Sequence, residues 1–128
     1  MRRVKRRDTK PELLLRNVLW HRGLRYRLHA KNLPGTPDVV FPGIRLAVFV
    51  HGCFWHRHPG CVRASTPRSN VEFWTTKFDA NVARDARNVE ELTKLGWHTF
   101  VVWECEAYDA QALERVADAI ERLVRPVP

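Results

Sequence analysis

A stretch rich in histidine and cysteine carries most of the side chains that could do chemistry. From Val48 to Cys61 it reads V-F-V-H-G-C-F-W-H-R-H-P-G-C, and it offers Cys53, His58 and Cys61 as metal ligands. Cys105, at the end of a later apolar run, is a fourth candidate. Three thiolates and one imidazole suit tetrahedral zinc, and four protein ligands would make that zinc structural. The C-x4-H-x2-C spacing favours this site over ordinary buried thiols and a surface histidine.

Two more histidines, His51 and His56, lie on either side of Cys53. A histidine can take a proton from an attacking water near neutral pH, or it can simply pack the loop through hydrogen bonds. For His56, which lies between metal ligands and beside aromatic residues, we favour the catalytic role. For His51 both interpretations stay open.

Carboxylates elsewhere in the chain could serve the same loop. Asp38 follows Pro37 at the start of a predicted strand, where it could hold Mg2+, although an aspartate that ends a turn is common. Asp85 falls on the apolar stripe of a predicted helix, so it needs either a basic partner or a histidine to hold. Glu12 has capping-box spacing with Thr9, which explains it structurally.

Phe54 and Trp55 form an aromatic pair between the ligand candidates. Aromatic residues usually lie in a core, but a tight ligand loop has little room to bury both. Exposed apolar wedges beside a basic surface can push between base steps of DNA, most easily at a mismatch. We therefore expect the pair to contact DNA.

The composition points to a polyanionic partner. The chain has 128 residues, 22 Lys and Arg against 14 Asp and Glu, and a net charge of +8, which favours nucleic acid. Three cysteines and no export signal or transmembrane run favour metal binding in a reducing cytoplasm. A merely soluble basic protein remains the alternative.

The element pattern predicts one α/β domain over residues 1–128, a mixed sheet flanked by helices, with a basic arm at residues 1–8. Capping boxes at Thr9 with Glu12 and at Ser69 with Glu72 predict two helix starts, and Gly23 predicts the end of the first helix. The predicted helices cover residues 9–22, 71–95 and 109–125. The predicted strands cover residues 24–29, 38–41, 45–51 and 97–104.

Several motifs together resemble the very short patch repair (Vsr) family of DNA mismatch endonucleases. These motifs are D-T-K-P-E-L-L-L-R (8–16), Y-R-L-H (26–29), L-P-G-T-P-D-V-V-F (33–41), A-V-F-V-H-G-C-F-W-H (47–56), F-W-T-T-K-F-D-A-N-V-A-R-D (73–85), G-W (96–97) and V-W-E-C (102–105). The resemblance implies a restriction-endonuclease-like fold with a structural zinc site. It also implies a Mg2+-dependent nick 5′ to the mispaired thymine of a T:G pair in double-stranded DNA.

The resemblance also implies roles for individual residues. Asp38 and the backbone carbonyl of Val50 match the Mg2+ ligands, His56 the residue that handles the water proton, and Asp85 the acid that orients it. Glu12 and His51 match residues near the active site. The implied zinc ligands are Cys53, His58, Cys61 and Cys105, and the implied DNA contacts are Met1, Arg2, Arg3, Phe54 and Trp55.

Two departures and two alternatives accompany the resemblance. The acid-x-Lys motif of ordinary restriction enzymes is replaced by Val48-Phe49-Val50-His51, as in the Vsr branch, and a start at Met1 predicts a shortened N-terminal DNA clasp. The alternatives are a nuclease of the same fold with another target and a zinc-stabilised DNA-binding module without catalysis. The family implies a bacterial cytoplasmic monomer acting at the nucleoid, with mismatch-repair or methyltransferase-linked partners and no membrane.

Overall fold

A computed structural model describes residues 8–126 as a mixed four-stranded sheet between helices. The predicted basic arm, including Met1, Arg2 and Arg3, therefore lies almost wholly outside the described residues. The helices are α1 (Lys10–His21), α2 (Val71–Lys94), α3 (Glu104–Tyr108) and α4 (Ala110–Val124), and a 3-10 turn covers Pro42–Ile44. The strands are β1 (Arg27–Leu28), β2 (Val39–Phe41), β3 (Leu46–His51) and β4 (His98–Trp103).

The strands lie in the order β1-β2-β3-β4, antiparallel except for the parallel β3–β4 pair. Successive side chains of a strand face opposite sides of a sheet, so the sheet builds a core on each face. Val39, Leu46 and Val48 face α1 and α4, while Val40 and Phe49 face α2. The mixed α/β prediction is thus confirmed, with helices on both faces.

The first helix begins where the sequence predicts, but by a different contact. Thr9 occupies the N-cap position without a side-chain hydrogen bond, and the Glu12 carboxylate instead accepts the backbone N–H of Asp8. At the other end Gly23, with φ of +81°, closes the helix as predicted, since glycine adopts this conformation without strain.

Other predicted boundaries are wrong by a few residues. The strand expected over 24–29 shortens to Arg27–Leu28, because His29 turns the chain with φ of +46° and Leu24 is buried outside the sheet. The capping box expected from Ser69 does not form, because Asn70 is the N-cap residue of α2 and adopts a left-handed conformation. The strand expected to reach Glu104 ends at Trp103, where the unpredicted helix α3 begins.

The long helix α2 is less buried than its sequence pattern predicts. Of the residues on its predicted apolar stripe, only Phe78 and Leu92 are buried, and Val82 is 47% exposed. Its C-terminal half packs on the sheet through Leu92, while its N-terminal half lies beside the cysteine-rich loop. Within the described residues, no helix combines the length and the apolar character that crossing a membrane requires.

Candidate active site

Asp38 lies just before β2 and turns its carboxylate toward the end of β3. Its Oδ2 accepts the backbone N–H of Val50 at 2.7 Å. Because β2 and β3 run antiparallel, with Val39 opposite Val48, the start of one strand and the end of the other meet at one edge. The structure therefore brings together the two residues predicted to hold Mg2+.

Burial, and after it the neighbouring Glu12 carboxylate, raise the pKa of Asp38 to about 7 despite the opposing effects of the Val50 N–H and the Arg16 guanidinium. Two carboxyl groups side by side in a poorly hydrated position repel each other once both are ionised. A hard divalent cation relieves that repulsion and prefers oxygen ligands, so the donor set suits Mg2+.

Glu12 itself is buried, with its side chain 3% exposed, and it is held by Arg16 one turn further along α1. Arg16 Nη2 donates to Glu12 Oε2 at 3.0 Å and to Asp8 Oδ1 at 2.7 Å, and it lies 3.3 Å from His29 Nε2. A buried carboxylate needs such a partner because its desolvation is costly. Glu12 therefore accepts a backbone hydrogen bond at the start of α1 and also lies beside Asp38.

His51, His56 and Asp85 form a second group that begins one residue after Val50. His56 Nδ1 lies 2.6 Å from Asp85 Oδ2, and the His51 and His56 rings stack with centroids 3.9 Å apart and planes 5° apart. Of the two interpretations of Asp85, the structure shows the contact with a histidine of the central loop.

This arrangement decides what each imidazole can do near neutral pH. Because the Asp85 carboxylate accepts the Nδ1–H of His56, the Nε2 atom of His56 is the nitrogen that can accept a proton. Burial and the adjacent His56 lower the pKa of His51 to about 4, so His51 is neutral. The group can therefore act as an oriented general base stacked on an uncharged ring.

The three cysteines and His58 converge on one point below the loop, with ligand atoms all within 4.8 Å of one another. His58 Nδ1 lies 3.4 Å from Cys105 Sγ and 3.7 Å from Cys53 Sγ. Zinc bonds of about 2.0–2.3 Å in a tetrahedron place neighbouring ligand atoms roughly 3.5–3.8 Å apart, so the cluster fits the ion.

The sulfur atoms have unequal surroundings. Burial raises the pKa of Cys53 to about 12 and also raises the pKa of Cys105, whereas backbone N–H of Arg63 lowers the pKa of Cys61. Cys53 Sγ also accepts the N–H of Cys105 at 3.4 Å. Thiols this close ionise together only if a cation offsets their charge, which is what bound zinc does.

Phe54 and Trp55 differ in exposure. Phe54 is half-buried and contacts Trp74 and Phe78 of α2 edge-on, with centroids 6.0 and 5.1 Å away. Trp55 is 39% exposed and lies 5.8 Å from Trp74. The expectation that the loop has little room to bury both rings is therefore met, since Trp55 is exposed and Phe54 is only half-buried against α2.

Relatives of this chain are DNA endonucleases. The family model of DNA mismatch endonuclease Vsr matches residues 1–63. The DNA mismatch endonuclease Vsr of Escherichia coli strain K12 is 43% identical over 82% of this chain and 67% of its own length. The type II nicking enzyme V.XorIIP of Xanthomonas oryzae pv. oryzae is 50% identical over 89% of this chain and 83% of its own length. The chain belongs to the Vsr family of DNA mismatch endonucleases.

As a Vsr protein, the chain is a DNA endonuclease with a restriction-endonuclease-like fold, as the sequence predicted. The type II nicking enzyme V.NmeAIP of Neisseria meningitidis is a further relative, 41% identical over 99% of this chain and 88% of its own length. These relatives support cleavage of DNA as the activity of the chain.

Sequence reasoning missed two arginines that organise the Vsr site. Arg16 links Glu12 to Asp8 and His29. The sequence signal for its ion pair with Glu12 was the spacing of four residues on α1. Arg57 lies 4.0 Å over the Phe78 ring and donates to the carbonyls of Phe54, Ala64 and Ser65. No sequence signal pointed to Arg57, because its acceptors are backbone atoms brought near by the loop.

Proposed function

We propose that this Vsr protein nicks one strand of DNA 5′ to the mispaired thymine of a T:G pair, in a specific sequence context, by Mg2+-dependent hydrolysis. The observation that carries the proposal is the histidine–aspartate pair, with 2.6 Å between His56 Nδ1 and Asp85 Oδ2. His56 stacks on His51, and the preceding residue, Val50, donates its N–H to Asp38. An oriented base beside a cation-binding carboxylate suits phosphodiester hydrolysis.

In this proposal Asp38 and the Val50 carbonyl hold Mg2+. The bound ion supplies charge to offset the negative charge that builds on the phosphate. His56 accepts the proton of the attacking water through Nε2, and Asp85 stabilises the imidazolium that results. Neutral His51 packs against His56 without adding a second positive charge to the pair.

Zinc is structural in this proposal. All four candidate ligands come from the protein, so no position stays open for a substrate water. The ion would connect the loop that carries His56 to α3, which carries Cys105. Binding would hold the general base in register with the end of β3.

Recognition of the mismatch is assigned to the aromatic pair and the basic arm. Trp55 is exposed enough to enter a base step. Phe54 packs edge-on against it, with ring centroids 5.1 Å apart. Unstacking a base step costs a few kcal/mol and is least costly at a mismatch, which favours a T:G pair over a matched one. Met1, Arg2 and Arg3 would contact the same DNA.

A second candidate is a nicking enzyme of the same fold with another target. The relatives from Xanthomonas oryzae and Neisseria meningitidis are both named type II nicking enzymes, which keeps a companion of a restriction–modification system open. The two candidates share the chemistry and differ in what the enzyme requires of the duplex.

Cleavage of paired oligonucleotide libraries separates these candidates. Duplexes with randomised flanks would differ only by T:G or C:G at one position, with and without Mg2+. We expect nicking of T:G duplexes alone, only with Mg2+, and none by Asp38→Ala although it still binds DNA. Equal cutting of both libraries would show that the enzyme does not require a mismatch. Binding without any cutting would show that the protein is a DNA-binding module without catalysis.

A further inference from the structure

Arg16 stands at the junction of three chain segments beside Asp38. A single nitrogen, Nη2, contacts Asp8 ahead of α1, the α1 residue Glu12, and His29 just after β1. The Arg16 side chain is 11% exposed and that of Glu12 is 3% exposed. The backbone N–H of His29 in turn donates to the carbonyl of Asp38 at 3.1 Å. The guanidinium therefore lies close to the proposed Mg2+ site without belonging to it.

The partners of Arg16 would otherwise resemble a metal site of their own. Ligand atoms of Asp8, Glu12 and His29 lie within 4.8 Å of one another. Arg16 Nη2 is within 3.3 Å of all three, so a permanent positive charge already fills the place of a cation there. The trio is thus a binding site for the guanidinium.

The hydrogen bonds to Glu12 are one-sided. The Arg16 guanidinium and the Asp8 backbone N–H both donate to Oε2, at 3.0 and 2.7 Å. Two donors on Oε2 restrict the orientation of the carboxylate, and the Glu12 side chain lies within hydrogen-bonding reach of Asp38. We propose that Arg16 is a positioning residue, which holds Glu12 by Oε2 so that Oε1 faces the divalent cation at Asp38. This inference rests on the proposed function.

A purely stabilising role fits Arg16 less well than it fits Arg22, at the other end of α1. Arg22 donates to Glu114, Asp118 and Glu121, and so ties α1 to α4. Among the described residues, Arg16 Nε is buried without a hydrogen-bond partner, which carries a desolvation cost. Arg22→Met therefore gives a matched control: the same charge is lost at the C-terminal end of the same helix, where the carboxylate partners belong to α4.

A double-mutant cycle tests the inference with two readouts, Mn2+ affinity of the metal-free site and the kinetics of nicking. We expect Arg16→Met to weaken Mn2+ binding and to lower kcat by about 10- to 100-fold, as loss of an outer contact of a metal site does. The KM for DNA should stay within about threefold of the wild-type value, since the DNA-contacting groups are untouched. In a Glu12→Ala background Arg16→Met should have no further effect, because nothing remains to position.

Two results would overturn the inference. One is a loss in Arg16→Met no larger than in Arg22→Met, and the other is an equal loss with and without Glu12. If Arg16→Met does not fold, Arg16→Lys enters the same cycle, since lysine keeps the charge without the planar fork. A wild type that fails to nick refutes the proposed function alone, because the Mn2+ cycle still decides the role of Arg16.

Discussion

At the scale of single residues, chemistry in this protein depends on which atom of a side chain is already engaged. His56 uses Nδ1 for Asp85, so its Nε2 is the basic atom. His51 is kept neutral by burial and by its stacked neighbour, which avoids two adjacent imidazolium ions. Asp38 is the opposite case, a carboxyl group whose burial and neighbouring Glu12 carboxylate make its ionisation costly.

The first prediction concerns Asp85. Asp85→Asn should lower the single-turnover nicking rate by about 10²- to 10⁴-fold, because the amide cannot stabilise an imidazolium and can turn His56 to the wrong tautomer. DNA affinity, measured by fluorescence anisotropy, should not change. Asp79→Asn, an exposed substitution on the same helix, is the control. A threefold effect or less would rule out an orienting role.

The second prediction concerns pH. The folded pKa of Asp38 is raised from 3.8 to about 7, so folding favours its protonated form. The raised pKa of Asp38 adds to the free energy of unfolding. This stabilisation is fully present below about pH 4 and is lost as the pH rises through about 7. Urea titrations in Mg2+-free buffer should show this decline in the wild type and less of it in Asp38→Asn. Added Mg2+ should restore stability at pH 8 only in the wild type; identical profiles would contradict the prediction.

At the scale of elements, short segments connect the sites to the sheet. Helix α3 starts directly after β4, and it brings Cys105 to Cys53 and His58 at the end of the parallel β3–β4 pair. His58 also stacks on Trp103, with ring centroids 4.3 Å apart. The cysteine–histidine cluster therefore joins the loop after β3 to the chain after β4. Loss of the cluster should leave both segments unanchored.

Zinc binding gives the third prediction. His58→Asn should remove most of the bound zinc and lower Tm by at least about 10 °C, since binding free energy of a structural metal is folding free energy. His98→Asn, which changes an exposed histidine of β4, should do neither. Metal analysis and thermal scans of the purified proteins provide the test. Normal zinc content in His58→Asn would remove this residue from the ligand set.

The aromatic pair gives the fourth prediction, because its members sit in different surroundings. Phe54→Ala should cost about 2–4 kcal/mol of stability, since the ring packs between Trp74 and Phe78. Trp55→Ala should cost less stability and should weaken binding to a T:G duplex about tenfold, the size of one lost base–aromatic contact. Urea titrations and binding curves of both variants separate the roles, and equal effects on both quantities would refute the division.

At the scale of the whole molecule, charge dominates the encounter with DNA. The net charge of +8 gives a salt-dependent attraction that is common to every sequence. Under the proposed function, selectivity for a T:G pair comes from the cost of deforming the duplex, which differs between a mismatched and a matched pair. Affinity and selectivity should therefore respond differently to salt.

The fifth prediction follows from that separation. A plot of log binding constant against log salt should be linear with a slope of about −4 to −7, as expected for five to eight phosphate contacts. The slope should be similar for T:G and matched duplexes. Deleting residues 2–7, which carry five positive charges, should flatten it. An unchanged slope after the deletion would show that the arm contacts no phosphates.

The sequence alone predicted the mixed sheet, the order of its main elements and the family. Alternating apolar residues and glycine or proline turns act locally, so β2, β3, β4 and the last helix could be placed within a few residues. Candidate zinc ligands could be named because three cysteines in a short chain have few other uses, and the structure brings these four side chains together. The burial predicted from the long apolar stripe of α2 was too extensive, because periodicity shows which face of a helix is apolar but not how much of that face other elements cover.

The residue patterns left open which side chains meet, and the tertiary structure decided it. Asp85 contacts His56 across 29 residues, and Arg16 reaches His29 from another element. Arg57 finds its partners among backbone carbonyls that no sequence pattern marks. Such contacts depend on how helices and loops pack on the sheet to within an ångström, and hydrogen bonds lose strength over that same distance. The sequence determines the set of groups available, and the packing determines which of them touch.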